Sequence, residues 1–267
     1  MKDKESFFEE VNSYKLLAKK EVGQNFLIDA SAAERIVSLL DVQSDDVVLE
    51  IGCGAGSLTF FLNEIKAQGE AIDIDDAMLS KCRKDFPSSS VNILQGNAMR
   101  WDYGKYTKIV GNLPYYITSG ILEKVLLGAA KCKKMAIMVQ KEAADRLLSQ
   151  VGSKDYGPLN ILLSLSGSLK REFKVPRSSF APAPHVDSAV LSYIYKDNRD
   201  LELLRKVYSF ASSLFLQRRK TIANNLKTVV KDQAKATNIL LAAKIDPSKR
   251  PEQLTPEEYL ALTKASL

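Results

Sequence analysis

From about residue 31 the chain alternates between apolar residues at helical spacing and short apolar runs of the kind that form buried strands. Residues 32–40 carry the helical pattern, with Ser31 as the expected cap. Val47-Val-Leu-Glu-Ile51 is a buried-strand run that ends in glycines. Residues 57–65 read as a helix and 69–74 as a second strand. Residues 91–94, 109–110 and 135–139 are further strand candidates, with helical stretches between them. Strands separated in this way imply an α/β fold, a parallel sheet with helices on both faces. A later strand, 189–195, is placed to close the sheet in a hairpin with 169–175.

The character changes after Lys196-Asp-Asn-Arg-Asp200. Residues 201–216 and 234–243 are helical in period. Thr255-Pro-Glu-Glu258 combines a cap, a first-turn proline and a capping-box glutamate. The expected boundary is near residue 197, with an α/β domain over 23–197 and a small all-helical domain over 198–267. Residues 1–22 form an N-terminal extension, and the charge and weak periodicity of the first 20 residues predict partial disorder there.

Composition narrows the classes. The 267 residues suit one large domain with a small appendage, and 45% hydrophobic residues are ample for a core. A formal charge of +6 permits a polyanionic partner. Cys53, Cys82 and Cys132 are far apart and share no metal-ligand spacing; their odd number argues against a disulfide framework and for a reducing compartment. No run approaches a membrane span, and Asp3, Glu5, Glu9 and Glu10 break any secretory signal. A cytoplasmic monomer without a metal is the expectation. His185, the only histidine, sits between Pro184 and Val186 as a loop residue.

The candidate chemistry begins at Glu50-Ile-Gly-Cys-Gly-Ala-Gly56. Strand, glycine loop and helix in succession let backbone approach a ligand closely. Glu50 would sit poorly beside a pyrophosphate but suits the amino-acid moiety of S-adenosylmethionine. Asp73, at the end of the next strand, can accept bonds from both ribose hydroxyls. Asn97, after the third strand, is placed either to contact the cofactor adenine or simply to form a turn.

Asn112-Leu113-Pro114-Tyr115 supplies the second half of a reaction. The exocyclic amino group of adenine is a poor nucleophile because its lone pair is delocalised into the ring. Accepting its N–H bonds favours a pyramidal nitrogen whose lone pair faces a methyl donor. Asn112 offers a side-chain carbonyl and Leu113 a backbone carbonyl, Pro114 stiffens the turn, and Tyr115 offers a ring for the base to stack on. The two halves together point to methyl transfer onto a nucleobase.

At these residues the chain resembles the ribosomal RNA adenine dimethyltransferases of the small-subunit type, from Gly23 to its C-terminus. The similar blocks are Gly23-Gln-Asn-Phe-Leu27, the glycine loop, the Asn112–Tyr115 motif, Val139-Gln-Lys-Glu142, Ser153-Lys-Asp-Tyr-Gly157, Phe180-Ala-Pro-Ala-Pro-His-Val-Asp-Ser-Ala189 and Phe215-Leu-Gln-Arg-Arg-Lys-Thr221. The resemblance implies a Rossmann-like class I methyltransferase sheet followed by a helical RNA-binding domain. S-adenosylmethionine would be held by Asn25, Leu27, Glu50, Gly52, Gly54, Asp73, Asn97 and Asn112. It implies that Phe180 stacks on the target base and that Arg218, Arg219 and Lys220 contact RNA.

The implied reaction is dimethylation of two adjacent adenosines in a hairpin loop near the 3′ end of 16S rRNA, within an assembling small subunit. The family usually has aspartate where Asn97 stands and glutamate where Asp73 stands. Two alternatives remain: a 23S rRNA adenine methyltransferase conferring antibiotic resistance, and a non-catalytic assembly factor. Leu113 and Gln217-Arg-Arg-Lys220 favour the small-subunit type over the first.

Overall fold

The computed structural model describes residues 2–16 and 24–267, so Gly23 and most of the junction after the N-terminal extension lie outside the described residues. The chain divides into two units, residues 1–144 with 169–195 and residues 145–168 with 196–267.

The first unit is built on a seven-stranded sheet. Its strands are β2 (Val47–Ile51), β3 (Gln68–Asp73), β4 (Val91–Gln95), β5 (Lys108–Asn112), β6 (Lys134–Gln140), β7 (Gly167–Val175) and β9 (Ser188–Tyr195), in the order β4-β3-β2-β5-β6-β9-β7. The first five in that order are parallel, and β9 runs antiparallel to β6. Val48 and Leu49 point to opposite faces of β2 and both are fully buried, so the sheet is covered on both sides, as the continuous apolar run predicts. A separate two-stranded pair joins β1 (Phe26–Leu27) to β8 (Phe180–Ala181), with Leu27 opposite Phe180.

The helices of this unit are α1 (Lys4–Ser13), α2 (Ala30–Ser38), α3 (Ser57–Glu64), α4 (Asp76–Asp85) and α5 (Thr118–Gly128). The cap of α2 is Asp29 rather than Ser31: its carboxylate accepts from the Ala32 amide at 3.0 Å, slightly earlier than the apolar pattern suggests. Asp75 caps α4 in the same way.

The described part of the N-terminal extension, residues 2–16, is ordered, while residues 17–22 lie outside the described residues. In the described part α1 starts on an Asp3 cap and buries Phe7, Phe8 and Val11. Phe7 lies 5.0 Å from the Phe60 ring and 5.4 Å from Phe86, and Lys2 bonds Asp85 at 2.6 Å. Each buried phenylalanine contributes about 2 kcal/mol, enough to order a ten-residue helix when three apolar side chains share one face.

The second unit packs α7 (Pro158–Ser166), α8 (Leu201–Phe215), α9 (Ile222–Val230), α10 (Gln233–Ala243) and α11 (Pro256–Ser266) around Tyr156, Ile161, Leu214, Leu226 and Tyr259. The Thr255–Glu258 capping box forms as expected. The helical unit is larger than the expected 198–267 because residues 145–168 belong to it. Within that excursion, which begins in α6 (Lys141–Leu147), Asn160 donates to the carbonyls of Arg146 and Leu147. Tyr156 donates its hydroxyl to Leu254 at 3.1 Å, and Ile161 is fully buried among the helices. The chain crosses between units here and again near residue 196, the boundary legible in the sequence.

Candidate active site

Strand order reverses beside β2, where β3 lies on one side and β5 on the other, and such switch points open a crevice at the carboxyl ends of the strands. The cavity found there is lined by Asn25, Leu27, Glu50, Gly52, Gly54, Asp73, Asn97 and the Asn112–Tyr115 turn. The expected cofactor residues and the expected catalytic turn therefore share one cavity.

The glycine loop works by geometry more than by hydrogen bonding. Gly52 has φ +74°, and a Cβ there would stand 3.3 Å from the Asn112 carbonyl, so glycine lets the loop and the Asn112–Tyr115 turn approach. Four of the loop's N–H groups are already committed. Gly52 and Cys53 donate to the Ile72 carbonyl at 2.8 and 3.1 Å, Gly56 donates to Cys53 at 2.8 Å, and Gly54 donates to the Asp73 carboxylate at 2.8 Å. They cannot also cradle a phosphate, which separates this loop from the dinucleotide type. Nor does a lysine or arginine line the cavity among the described residues; its charged lining groups are Glu50 and Asp73.

Asp73 takes a second bond from the Asp75 amide at 2.9 Å, so it braces the loop while keeping further lone pairs for hydroxyl donors. Burial holds its carboxyl above the usual range, and the two amide bonds work against that shift. Glu50 is 1% exposed and accepts from the Thr59 hydroxyl at 2.6 Å. Burial pushes its carboxyl up to about 8, with the Thr59 bond opposing and the neighbouring Asp73 adding to the rise.

Asn112 closes β5. Its amide nitrogen donates to the Asn25 carbonyl at 3.3 Å, which fixes the side-chain oxygen as the remaining acceptor. No described residue donates to that oxygen. Pro114 has φ −58°, and its carbonyl accepts from Thr118 at 3.0 Å, pinning the turn to the start of α5. The Tyr115 hydroxyl is within 3.0 Å of Ser188 Oγ on β9, which orients its ring. Asn25 and Leu27 are held in place by the Asn112 bond and by Ser57, whose hydroxyl donates to the Leu27 carbonyl at 2.7 Å.

Asn97 takes the turn role considered for it and also faces the cavity. It lines the cavity, and its oxygen accepts from the Met99 amide at 2.9 Å to cap the short helical turn Ala98–Arg100. That leaves the NH2 group as its donor toward a ligand.

Phe180 is not brought to the cavity wall. It is 3% exposed, opposite Leu27 in the β1–β8 pair and packed into the main core. Its strand position buries the ring that the resemblance assigns to base stacking. Two exposed apolar side chains passed over in the sequence do line the cavity, Ile74 at 58% and Tyr116 at 62%. An isoleucine directly after the acid that ends the second strand, and a second tyrosine after the Asn-Leu-Pro-Tyr motif, were the available signals. Gln24 was another, and it reaches the buried Asp75 at 2.8 Å.

The three basic residues of the helical unit are not equivalent. Arg218 donates to the Lys154 carbonyl at 2.7 Å and lies 3.8 Å from Glu252, so it braces the 150s loop. Arg219 and Lys220 are at the surface, next to Leu216 at 84% exposure. Among the described residues no group of three His, Cys, Asp or Glu could hold a metal ion, and no helix is long and apolar enough to cross a membrane.

Comparison with known proteins agrees with this geometry. Proteins named ribosomal RNA small subunit methyltransferase A from Lactobacillus helveticus and Mesoplasma florum are 34% and 36% identical to the chain. The alignments cover 95% and 93% of this chain and 93% and 98% of theirs. The crystal structure of a dimethyladenosine transferase from Plasmodium falciparum superposes with a TM-score of 0.76 at 28% identity, covering 88% of this chain and 94% of that one. A 23S rRNA methyltransferase, ErmE, shares the fold with a TM-score of 0.65 at 23% identity, over 90% of this chain and 99% of its own. The profile of the family described as ribosomal RNA adenine dimethylase matches residues 15–266. A methyltransferase sheet, an acid-lined glycine loop and an Asn-Leu-Pro-Tyr turn facing one cavity are thus accompanied by similarity along almost the whole chain, which belongs to the ribosomal RNA adenine dimethylase family.

Proposed function

We propose that the protein uses S-adenosylmethionine to dimethylate the exocyclic amino groups of two adjacent adenosines near the 3′ end of small-subunit rRNA during subunit assembly. The observation that carries this reading is the free acceptor oxygen of Asn112, held by Asn25 at the rim of a cavity whose charged lining groups are both acidic. The donor set fits the cofactor. Asp73 suits ribose hydroxyls, Ile74 and Asn97 offer an apolar face and a polar edge to adenine, and the acidic lining tolerates a cationic ligand. When bound, that cofactor supplies an electrophilic methyl group on a sulfonium.

The chain's own residues do the rest. Asn112 and the Leu113 carbonyl accept the N–H bonds of the target amino group and direct its lone pair toward the donor, a preorganised polar arrangement that needs no strong base. The methylated nitrogen is acidic and loses its proton to water. Tyr115, with its hydroxyl anchored by Ser188, presents a flat ring to the base, and the exposed ring of Tyr116 extends that surface at the mouth. Phe180 supports the site from behind by pairing with Leu27. Arg219 and Lys220 contact RNA phosphates, whereas Arg218 holds the loop beside them.

The test is incubation with radiolabelled S-adenosylmethionine and undermethylated small subunits, with large subunits in parallel, followed by mapping of the labelled adenosines. Label on paired adenosines near the small-subunit 3′ end is expected. Label confined to large-subunit RNA would move the protein to the resistance type, and binding without label would make it an assembly factor.

A further inference from the structure

Among the described residues three aromatic side chains line the cavity, Phe26, Tyr115 and Tyr116, and they stand in different surroundings. Phe26 is buried in the main core, its ring 3.6 Å from where a Cβ would stand on Gly54. Tyr115 is half-buried, with its hydroxyl anchored at Ser188. Tyr116 is exposed and, among the described residues, makes no ring contact and no side-chain hydrogen bond. A lone exposed tyrosine is ordinary on a protein surface; its seat singles this one out.

That seat is rigid. Tyr115–Ile117 forms one tight helical turn, entered through Pro114 at φ −58°. The Ile117 amide donates to the Pro114 carbonyl at 3.3 Å, and the Thr118 hydroxyl donates to the same carbonyl at 3.0 Å. With three residues per revolution, successive side chains diverge by about 120°. The Tyr116 ring therefore points away from the one that Tyr115 presents, and the two do not share one base. Charge limits what else holds a nucleotide at this mouth. The charged lining groups are Glu50 and Asp73, with no lysine or arginine beside them among the described residues. Such a wall repels a phosphate, so the contact left to a nucleotide outside the cavity is through the uncharged face of its base.

We propose that Tyr116 is a second nucleobase subsite: its ring stacks the nucleotide next to the adenosine in the cavity, holding the other adenosine of the pair at the mouth. This rests on the paired-adenosine reading above. Asn112 and Tyr115 serve the reacting base, and Tyr116 serves its neighbour. Drawing one base out of a stack strips the next base of a partner, and the Tyr116 ring replaces it. Because the turn is already fixed, the contact requires little ordering of the protein.

The test compares wild type, Tyr116→Ala and Tyr116→Phe on undermethylated small subunits with radiolabelled S-adenosylmethionine. Tyr116→Ala should raise the subunit concentration for half-maximal rate by about 5- to 150-fold, the range one base–aromatic stack contributes, and that rise should exceed any fall in the saturated rate. Stacking needs the ring and not the hydroxyl, so Tyr116→Phe should stay within about twofold of wild type. Acylation of ribose 2′-hydroxyls in complexes trapped with S-adenosylhomocysteine reads the contact directly. Wild type and Tyr116→Phe should restrain both adenosines, and Tyr116→Ala should release about half of that restraint. Calorimetry with S-adenosylhomocysteine reports the cavity itself; a loss of its affinity in Tyr116→Ala would place the ring against the cofactor and overturn the proposal. An unchanged half-maximal concentration, a defect confined to the saturated rate, or a Tyr116→Phe defect equal to that of Tyr116→Ala would also overturn it, while label on the paired adenosines kept the rRNA reading standing. Absence of label with wild type would overturn both.

Discussion

Replacing Asn112 with alanine separates catalysis from binding. The side chain has two polar ends with different tasks. Its amide nitrogen reaches the Asn25 carbonyl at 3.3 Å, a long bond for which about 0.5–1 kcal/mol is a fair value. Its oxygen has no donor among the described residues, and in the proposed reaction it accepts from the target amino group, whose N–H bonds strengthen as the nitrogen turns pyramidal. Removing one preorganised polar group of this kind raises a barrier by about 2.7–4 kcal/mol. Asn112→Ala should therefore slow single-turnover methyl transfer by about 100- to 1,000-fold, yet weaken cofactor binding only about two- to fivefold. Rates are read with radiolabelled donor on saturating small subunits, cofactor affinity by calorimetry, and RNA affinity by filter binding. A rate within about tenfold of wild type, or an RNA affinity that falls in step with the rate, would refute the transition-state role.

Three further outcomes are expected. Gly56→Ala must hold φ near +90° and seat a Cβ 2.7 Å from Phe86 and 3.0 Å from Cys82, so a loss of about 2–3 kcal/mol in urea unfolding is expected, together with weaker cofactor binding; an unchanged midpoint would mean the loop relaxes freely. Phe7→Ala should cost about 3 kcal/mol by removing the ring packed on Phe60 and Phe86, and hydrogen exchange should show α1 opening first; a cost below about 1 kcal/mol would return the extension to the disordered reading. Replacing Arg219 and Lys220 together by alanine should flatten the salt dependence of RNA binding by about one to two units of slope, at roughly 0.7–0.9 for each phosphate no longer neutralised. Arg218→Ala should instead lower stability by about 1–2 kcal/mol through the Lys154 bond, and an RNA-binding defect without a stability loss would reverse that division of labour.

Local pattern was sufficient for much of this molecule. The run Val47–Ile51, the glycine loop and the Asn112–Tyr115 turn announce their conformation within a few residues, because strand, tight turn and proline constraints act over that range. The parallel sheet, the closing pair β7–β9, the capping box at Thr255 and the meeting of the expected cofactor residues with the Asn112–Tyr115 turn in one cavity were all readable from such signals. What the chain order could not convey was which distant surfaces would meet. Helix α1 is ordered because Phe60 and Phe86, more than fifty positions away, offer a ring cluster to Phe7. The excursion 145–168 joins the helical unit because Tyr156 and Ile161 find their partners after residue 200. Phe180 turns inward because β8 pairs with β1, and Arg218 becomes a brace because Lys154 presents a carbonyl to it. Elements and chemistry therefore followed from the sequence by itself, through interactions between near neighbours. Burial, charge state and the division between structural and exposed cations were decided by the tertiary structure, since desolvation and hydrogen bonding depend on groups that only folding brings together.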